Sequence, residues 1–146
     1  MSFYSLLSII NYMEFTISTS EHSELIDITH KVKELIRESK IKQGSVLVYT
    51  PHATAAIIIN ENYDPNICLD FLDAIEKIVP LRAGWRHDKI DSNAAAHIKA
   101  AIIGPSESIP IKDGQLTLGT WQNLMLCEFD GPRSNRKVII CIQKDR

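Results

Sequence analysis

No run of lysine or arginine occurs in this chain, and its 16 basic against 18 acidic side chains leave a formal charge of -2. The positive stripe that a nucleic-acid surface needs is therefore missing. Cysteine is scarce. Cys68, Cys127 and Cys141 are odd in number and lack Cys-x-x-Cys spacing, which argues against a disulfide framework or a zinc ribbon and makes a reducing cytoplasm the simplest compartment. The six glycines form neither a GxGxxG nor a P-loop arrangement, so a Rossmann site and a Walker site are excluded. The apolar stretch from Ser2 to Met13 is too short to cross a bilayer, has no basic start and meets no small-residue cleavage site; neither a membrane span nor a signal peptide is expected. What remains is ordinary soluble composition, 45% apolar and 23% charged over 146 residues, the size of one compact domain.

A tidy strand pattern begins at Met13, so residues 1–12 are expected to be an extension and residues 13–146 the domain. Phe15, Ile17 and Thr19 alternate as a half-buried strand does, and Leu25 and Ile26 suggest its partner. Beyond Asp27, a good cap, Ile28, Val32, Leu35 and Ile36 recur at helical spacing. Ser45 to Thr50 and Ala55 to Ile59 are short, apolar and β-branched, as central strands are. Asp64-Pro65 opens a second helix, whose apolar face runs from Ile67 to Val79. Leu81 to Asp91 has no period and reads as an ordered polar loop, and Asn93 is placed to cap a third helix that ends at Gly104. Four further strand candidates, parted by turn residues, predict a C-terminal β-meander. Strands in runs favour an α+β fold in which β-sheets pack as a sandwich-like core with about three helices.

The candidate chemistry is scattered. His52 ends an apolar strand behind Pro51, His87 sits in the polar loop, and His97 shares a helix face with Asn93. Neutral imidazoles at three rigid places suit a metal with an open position, but the spacing matches no HExxH motif, and satisfied structural histidines are the commoner outcome for such a pattern. Glu61, after a strand and between two asparagines, and Glu128, inside the apolar run Leu124 to Phe129, are acidic groups whose burial would raise a carboxyl pKa and make an acid or base; each could instead face water on an edge. For an anion the available donors are Arg86, Lys99, Arg133 and the amides near Gly119-Thr120-Trp121. Trp121 could stack on a planar ring, but the core is the commoner place for such a residue.

Taken together, Thr-Pro-His-Ala-Thr-Ala-Ala-Ile (50–57), Asn-Glu-Asn (60–62) with Asp64-Pro65, Arg-His (86–87), Asp-Ser-Asn-Ala-Ala-Ala-His (91–97) and Leu-Gly-Thr-Trp-Gln (118–122) with Glu128 resemble the YjbQ-type family, also called secondary thiamine-phosphate synthase. The resemblance runs from about Met13 to the C-terminus. It implies a homotrimer with polar pockets near subunit contacts. It also implies a divalent metal, zinc or magnesium, on His52, His87 and His97, with Glu61, Asn93 and Glu128 as catalytic residues. Lys99, Thr120, Trp121 and Arg133 would bind a small phosphorylated substrate. The implied reaction couples 4-amino-2-methyl-5-pyrimidinylmethyl diphosphate to a thiazole phosphate and releases pyrophosphate. A departing anion and a pyrimidinylmethyl cation then require cationic neutralisation and an aromatic face. The alternatives are a metal-dependent hydrolase of a small phosphorylated compound and a non-catalytic trimeric binding protein. Where the family usually reads His-Thr-Thr, this chain has His52-Ala53-Thr54, one hydroxyl fewer. Whether Arg133 or Arg136 meets a phosphate is left open by the sequence.

Overall fold

A computed structural model describes residues 10–145. In chain order its elements are β1 (Ile10–Ile17), β2 (Glu24–Asp27), α1 (Thr29–Ser39), β3 (Gln43–Tyr49), β4 (Ala55–Asn60), α2 (Pro65–Ile78), α3 (Ala94–Ile103), β5 (Ser106–Lys112), β6 (Gln115–Leu116), β7 (Asn123–Glu128) and β8 (Arg136–Lys144). A single 3-10 turn, Arg86–Lys89, precedes α3. The strands form two antiparallel sheets, ordered β1-β8-β3-β5-β6 and β2-β7-β4.

The smaller sheet is the middle layer, which explains why β4 and β7 read as continuous apolar runs. One face, with Ala55, Ile57, Leu124 and Leu126, joins a core with Val32 and Ile36 of α1 and with Val46, Ile109 and Ile140 of the larger sheet. Its other face, with Ala56, Ile58, Met125 and Cys127, meets Ile75 of α2 and Ala96 and Ala100 of α3. Each large aliphatic side chain buried this way contributes about 1.5–3 kcal/mol of transfer free energy. The alanines of α3 let that helix approach the sheet closely. This is the expected α+β architecture, with three α-helices among the described residues.

The pairing of strands differs from expectation in two places. β1 and β2 do not pair with each other: β1 lies against β8, and β2 against β7. The segment between them crosses from one sheet to the other, held where the Thr19 N–H donates to the Arg133 carbonyl at 2.7 Å. The C-terminal strands are not a meander either. β5 and β6 form a hairpin through Asp113 and Gly114, both left-handed, but β7 enters the middle of the smaller sheet and β8 returns between β1 and β3. Because β7 is buried on both faces, its place is the centre of a covered layer rather than beside β6. β1 also starts three residues inside the expected extension, with Ile10 opposite Gln143. Residues 1–9 lie outside the described residues.

Helix starts follow local chemistry. Asp27 accepts the Thr29 N–H at 2.8 Å, and Asp64 accepts that of Asn66 at 2.9 Å behind Pro65. The third helix is opened differently: Asn93 holds the cap position, yet the Ala94 N–H goes to Asp88 Oδ1 at 3.0 Å. Of the long apolar face of α2 only Ile75 is fully buried, while Leu69 and Ile78 are exposed. Among the described residues, no helix is long and apolar enough to cross a membrane.

Candidate functional site

The polar loop expected between α2 and α3 folds back over the start of α3. There it builds a cavity of about 570 Å³ lined by Ala83, Gly84, Trp85, Arg86, His87, Ala94, His97 and Ile98. Gly84 takes a φ of 75°, and the Trp85 indole donates to the Pro80 carbonyl at 2.8 Å, which fixes the ring at the rim. His87 comes from the 3-10 turn and His97 from one turn inside α3. Their rings meet edge to face with centroids 5.1 Å apart. Asp91 lies 3.8 Å from His87 Nε2.

Beside the cavity, Asn93 donates from Nδ2 to Asp130 Oδ2 at 3.1 Å, and Arg133 donates to the same oxygen at 2.7 Å and to the Asp130 carbonyl at 2.9 Å. Burial by itself would raise the Asp130 pKa, but these donors outweigh it and hold the carboxyl below its ordinary range. Asn93 Oδ1 is a buried acceptor with no donor among the described residues. An orphaned acceptor costs about 1–3 kcal/mol, and Asn93 immediately precedes Ala94 of the cavity wall.

Glu128 is wholly buried but is not the raised-pKa acid expected from its apolar surroundings. Arg136 donates to it twice, at 2.7 Å from Nε and 2.5 Å from Nη2, and the Thr19 hydroxyl donates at 3.0 Å. The amides of Phe129 and Asp130 add bonds of 3.0 and 2.9 Å. Desolvation pushes the carboxyl up, but the Arg136 hydrogen bonds and the other donors more than compensate, and its pKa is lowered. Glu128 is thus a pinned carboxylate that joins β7 to β8, with every strong donor near it already engaged. Arg136 also donates to the Thr54 hydroxyl at 2.8 Å, so Arg136 is buried in this network rather than free for phosphate.

His52 borders the same network. Its Nε2 accepts the Lys137 N–H at 2.8 Å, and burial followed by the charge of Arg136 lowers its pKa, so the ring is neutral with Nδ1 carrying the proton. It does not line the histidine cavity. Among the described residues no three of His, Cys, Asp and Glu are grouped so as to hold a metal ion. Within one chain, therefore, His87 and His97 come together while the three-histidine set does not form, and the donors present do not fit the implied cation.

The remaining expected residues separate. Glu61 follows the last residue of β4 and is half-buried, its N–H donating to Asn60 Oδ1 at 2.8 Å, and it is not part of the cavity wall. Lys99, only 3% exposed, is ion-paired to Glu76 of α2 beneath the Phe129 ring, so it ties two helices together instead of reaching a phosphate. Thr120 lies in a second cleft, beside α1. Trp121 is 58% exposed and packs edge-on against Tyr63 at 5.5 Å, contrary to the core placement favoured for it. Trp85 was missed, although its place before Arg86-His87 in an aperiodic loop was a signal. Arg136 was missed as the inward partner of Glu128, although it shares strand parity with Val138, Ile140 and Ile142.

Comparison with known proteins gives a consistent relationship. A family model described as UPF0047 protein YjbQ-like matches residues 13–145. A UPF0047 protein of Archaeoglobus fulgidus is 45% identical over 87% of this chain and 98% of its own length. The UPF0047 protein YugU of Bacillus subtilis is 41% identical over 81% of this chain and 89% of its own. A crystal structure of a YbjQ-like protein of unknown function from Sulfolobus solfataricus superposes with a TM-score of 0.91 at 36% identity, covering 94% of this chain and 99% of that one. An uncharacterised YjbQ/UPF0047 protein from Clostridium acetobutylicum gives 0.85 at 43% identity, covering 89% and 98%.

Proposed function

From the premise that this chain belongs to the YjbQ-like UPF0047 family, we propose that it is a transferase of the secondary thiamine-phosphate synthase type, with the His87–His97 cavity as its reaction site. The observation that carries this reading is the lining itself: two imidazoles in edge contact, a guanidinium and an indole around one cavity. Its volume, about 570 Å³, suits a small planar molecule bearing an anionic group.

In the proposed reaction the methylene C–O bond breaks, its electron pair leaving on the bridging diphosphate oxygen. The thiazole nitrogen lone pair then forms the new C–N bond. Arg86 forks two hydrogen bonds to the leaving diphosphate, and Trp85 offers a face to the pyrimidine. His87 and His97 donate hydrogen bonds to the oxygen on which charge develops, and Asn93 Oδ1 accepts from the exocyclic amine. Arg133, held by Asp130 beside Asn93, extends the anion-binding edge. Glu128 acts at one remove, by holding Asp130 through its backbone amide. The homotrimer that the family resemblance implies would cover exposed side chains such as Leu69 and Ile78, and sedimentation of the purified protein tests it.

Purified protein supplied with both phosphorylated rings should form thiamine phosphate and pyrophosphate in equal amounts. A His97→Ala variant should be slower by about 100-fold, the scale of losing one hydrogen-bond donor to a developing negative charge. Pyrophosphate with the free pyrimidine alcohol would assign a hydrolase instead. Full activity in a folded His97→Ala variant would remove the reaction from this cavity.

A further inference from the structure

A second cleft, of about 660 Å³, separates α1 from the chain between β5 and β7. Its charged lining is uneven for a molecule of net charge -2: Lys33 and Arg37 project from successive turns of α1, Lys42 stands at the foot of β3, and Asp113 is the single carboxylate. Three cations against one acid leave an excess of two positive charges. Among the described residues none of these cations is ion-paired, whereas Lys31, two residues before Lys33 on α1, is bonded to Glu34 at 2.9 Å. Asp113 is engaged sideways, accepting from Gln43 Nε2 at 3.0 Å.

The cleft is also built rather than incidental. The Gly114 N–H donates to the Lys42 carbonyl at 2.9 Å, which holds the β5–β6 turn against the start of β3. The Lys42 ammonium lies across that glycine, where an added Cβ would sit 3.2 Å from Nζ. Opposite, the turn around Thr120 is closed by the Gly119 N–H donating to Gln122 Oε1 at 2.8 Å. Ile36 and Leu116 make an apolar floor. A concave wall of like charge over an apolar floor concentrates anions and orients those that carry a hydrophobic body.

We propose that this cleft is a binding site for a small organic phosphate monoester, separate from the histidine cavity. Arg37 forks to the phosphate, Lys33 and Lys42 complete neutralisation of the dianion, and the organic part rests on Ile36 and Leu116. The excess of two positive charges matches a dianion better than a monocarboxylate.

Phenyl phosphate titrated into isotopically labelled protein tests this, with Gly114 and Gly119 amides reporting on the cleft and Gly84 on the histidine cavity. The expected result is a saturable shift at Gly114 and Gly119 that persists in His97→Ala and weakens by more than about tenfold in Arg37→Gln/Lys42→Gln, since one charged hydrogen bond alone is worth about that factor and the pair supplies at least two. Inorganic phosphate should bind more weakly than phenyl phosphate. A shift confined to Gly84, no saturation at Gly114, or undiminished binding by the double variant would overturn the assignment. Failure of synthase activity would leave this result untouched.

Discussion

Replacing Arg136 by Met keeps the aliphatic stem but removes the cation from a carboxylate that is 0% exposed. Glu128 would retain the Thr19 hydroxyl and the two backbone amides as donors and lose both guanidinium bonds. Breaking a buried pair from one side costs about 3–5 kcal/mol, a large part of the roughly 5–15 kcal/mol that holds a domain together. The sign of the pH dependence separates this cause from simple loss of packing. In the parent protein the folded Glu128 pKa lies below its ordinary 4.5, so the pair's contribution is present above that value and is lost as pH falls through the folded pKa. In Arg136→Met burial dominates and the folded pKa rises, so the penalty is greatest at neutral pH and eases on acidification. Urea unfolding at pH 7 and pH 5 should therefore show a gap between variant and parent that narrows at the lower pH. Glu128→Met/Arg136→Met should be more stable than Arg136→Met alone, since no charge is left stranded. A loss under about 1 kcal/mol at pH 7, or a gap independent of pH, would refute the account of this pair as a satisfied buried charge.

Three further outcomes follow from particular contacts. His52 has a folded pKa below its ordinary 6.5, so it contributes stability above that pH which is lost as pH falls through the folded value; NMR titration of its ring should show the lowered pKa, and Arg136→Met should raise it by removing the nearby cation. Glu76→Gln strands the buried Lys99 ammonium and should cost about 1–3 kcal/mol in chemical unfolding, more than Lys99→Met, which leaves only a partly exposed carboxylate. A Cβ at Gly131 would meet the Glu21 carbonyl at 2.1 Å and Glu128 Cγ at 2.9 Å, so Gly131→Ala should lower stability by about 1–3 kcal/mol, read as a shift in the urea midpoint.

Periodicity carried the helices and most strands, because α1 and β8 each bury one face and the alternation is written into their own residues. The cap at Asp64 was equally local, whereas α1 takes Ile28 as its cap residue and Asp27, one position earlier, accepts the Thr29 N–H. Histidines 87 and 97 were legible as candidates, and their joint membership of one cavity depended on how residues 81–91 fold back, which no period records. The expectation for Glu128 went the other way for the same reason. An acidic residue in an apolar run signals costly burial, yet the sign of its pKa depends on Arg136, eight residues on across a sheet junction, and on Thr19, 109 residues away.

What the sequence by itself determined was the family, the α+β class and the set of residues available for chemistry, since these depend on residue type and local spacing. Only the tertiary structure decided which of them meet. It put Lys99 under Glu76, Trp121 against Tyr63 and His52 on the Lys137 amide, because these contacts join segments distant in sequence. Strand partnership was settled in the same way: β7 could have paired beside β6, but burial on both faces required the middle of a covered layer, and that requirement comes from the whole core rather than from any one strand.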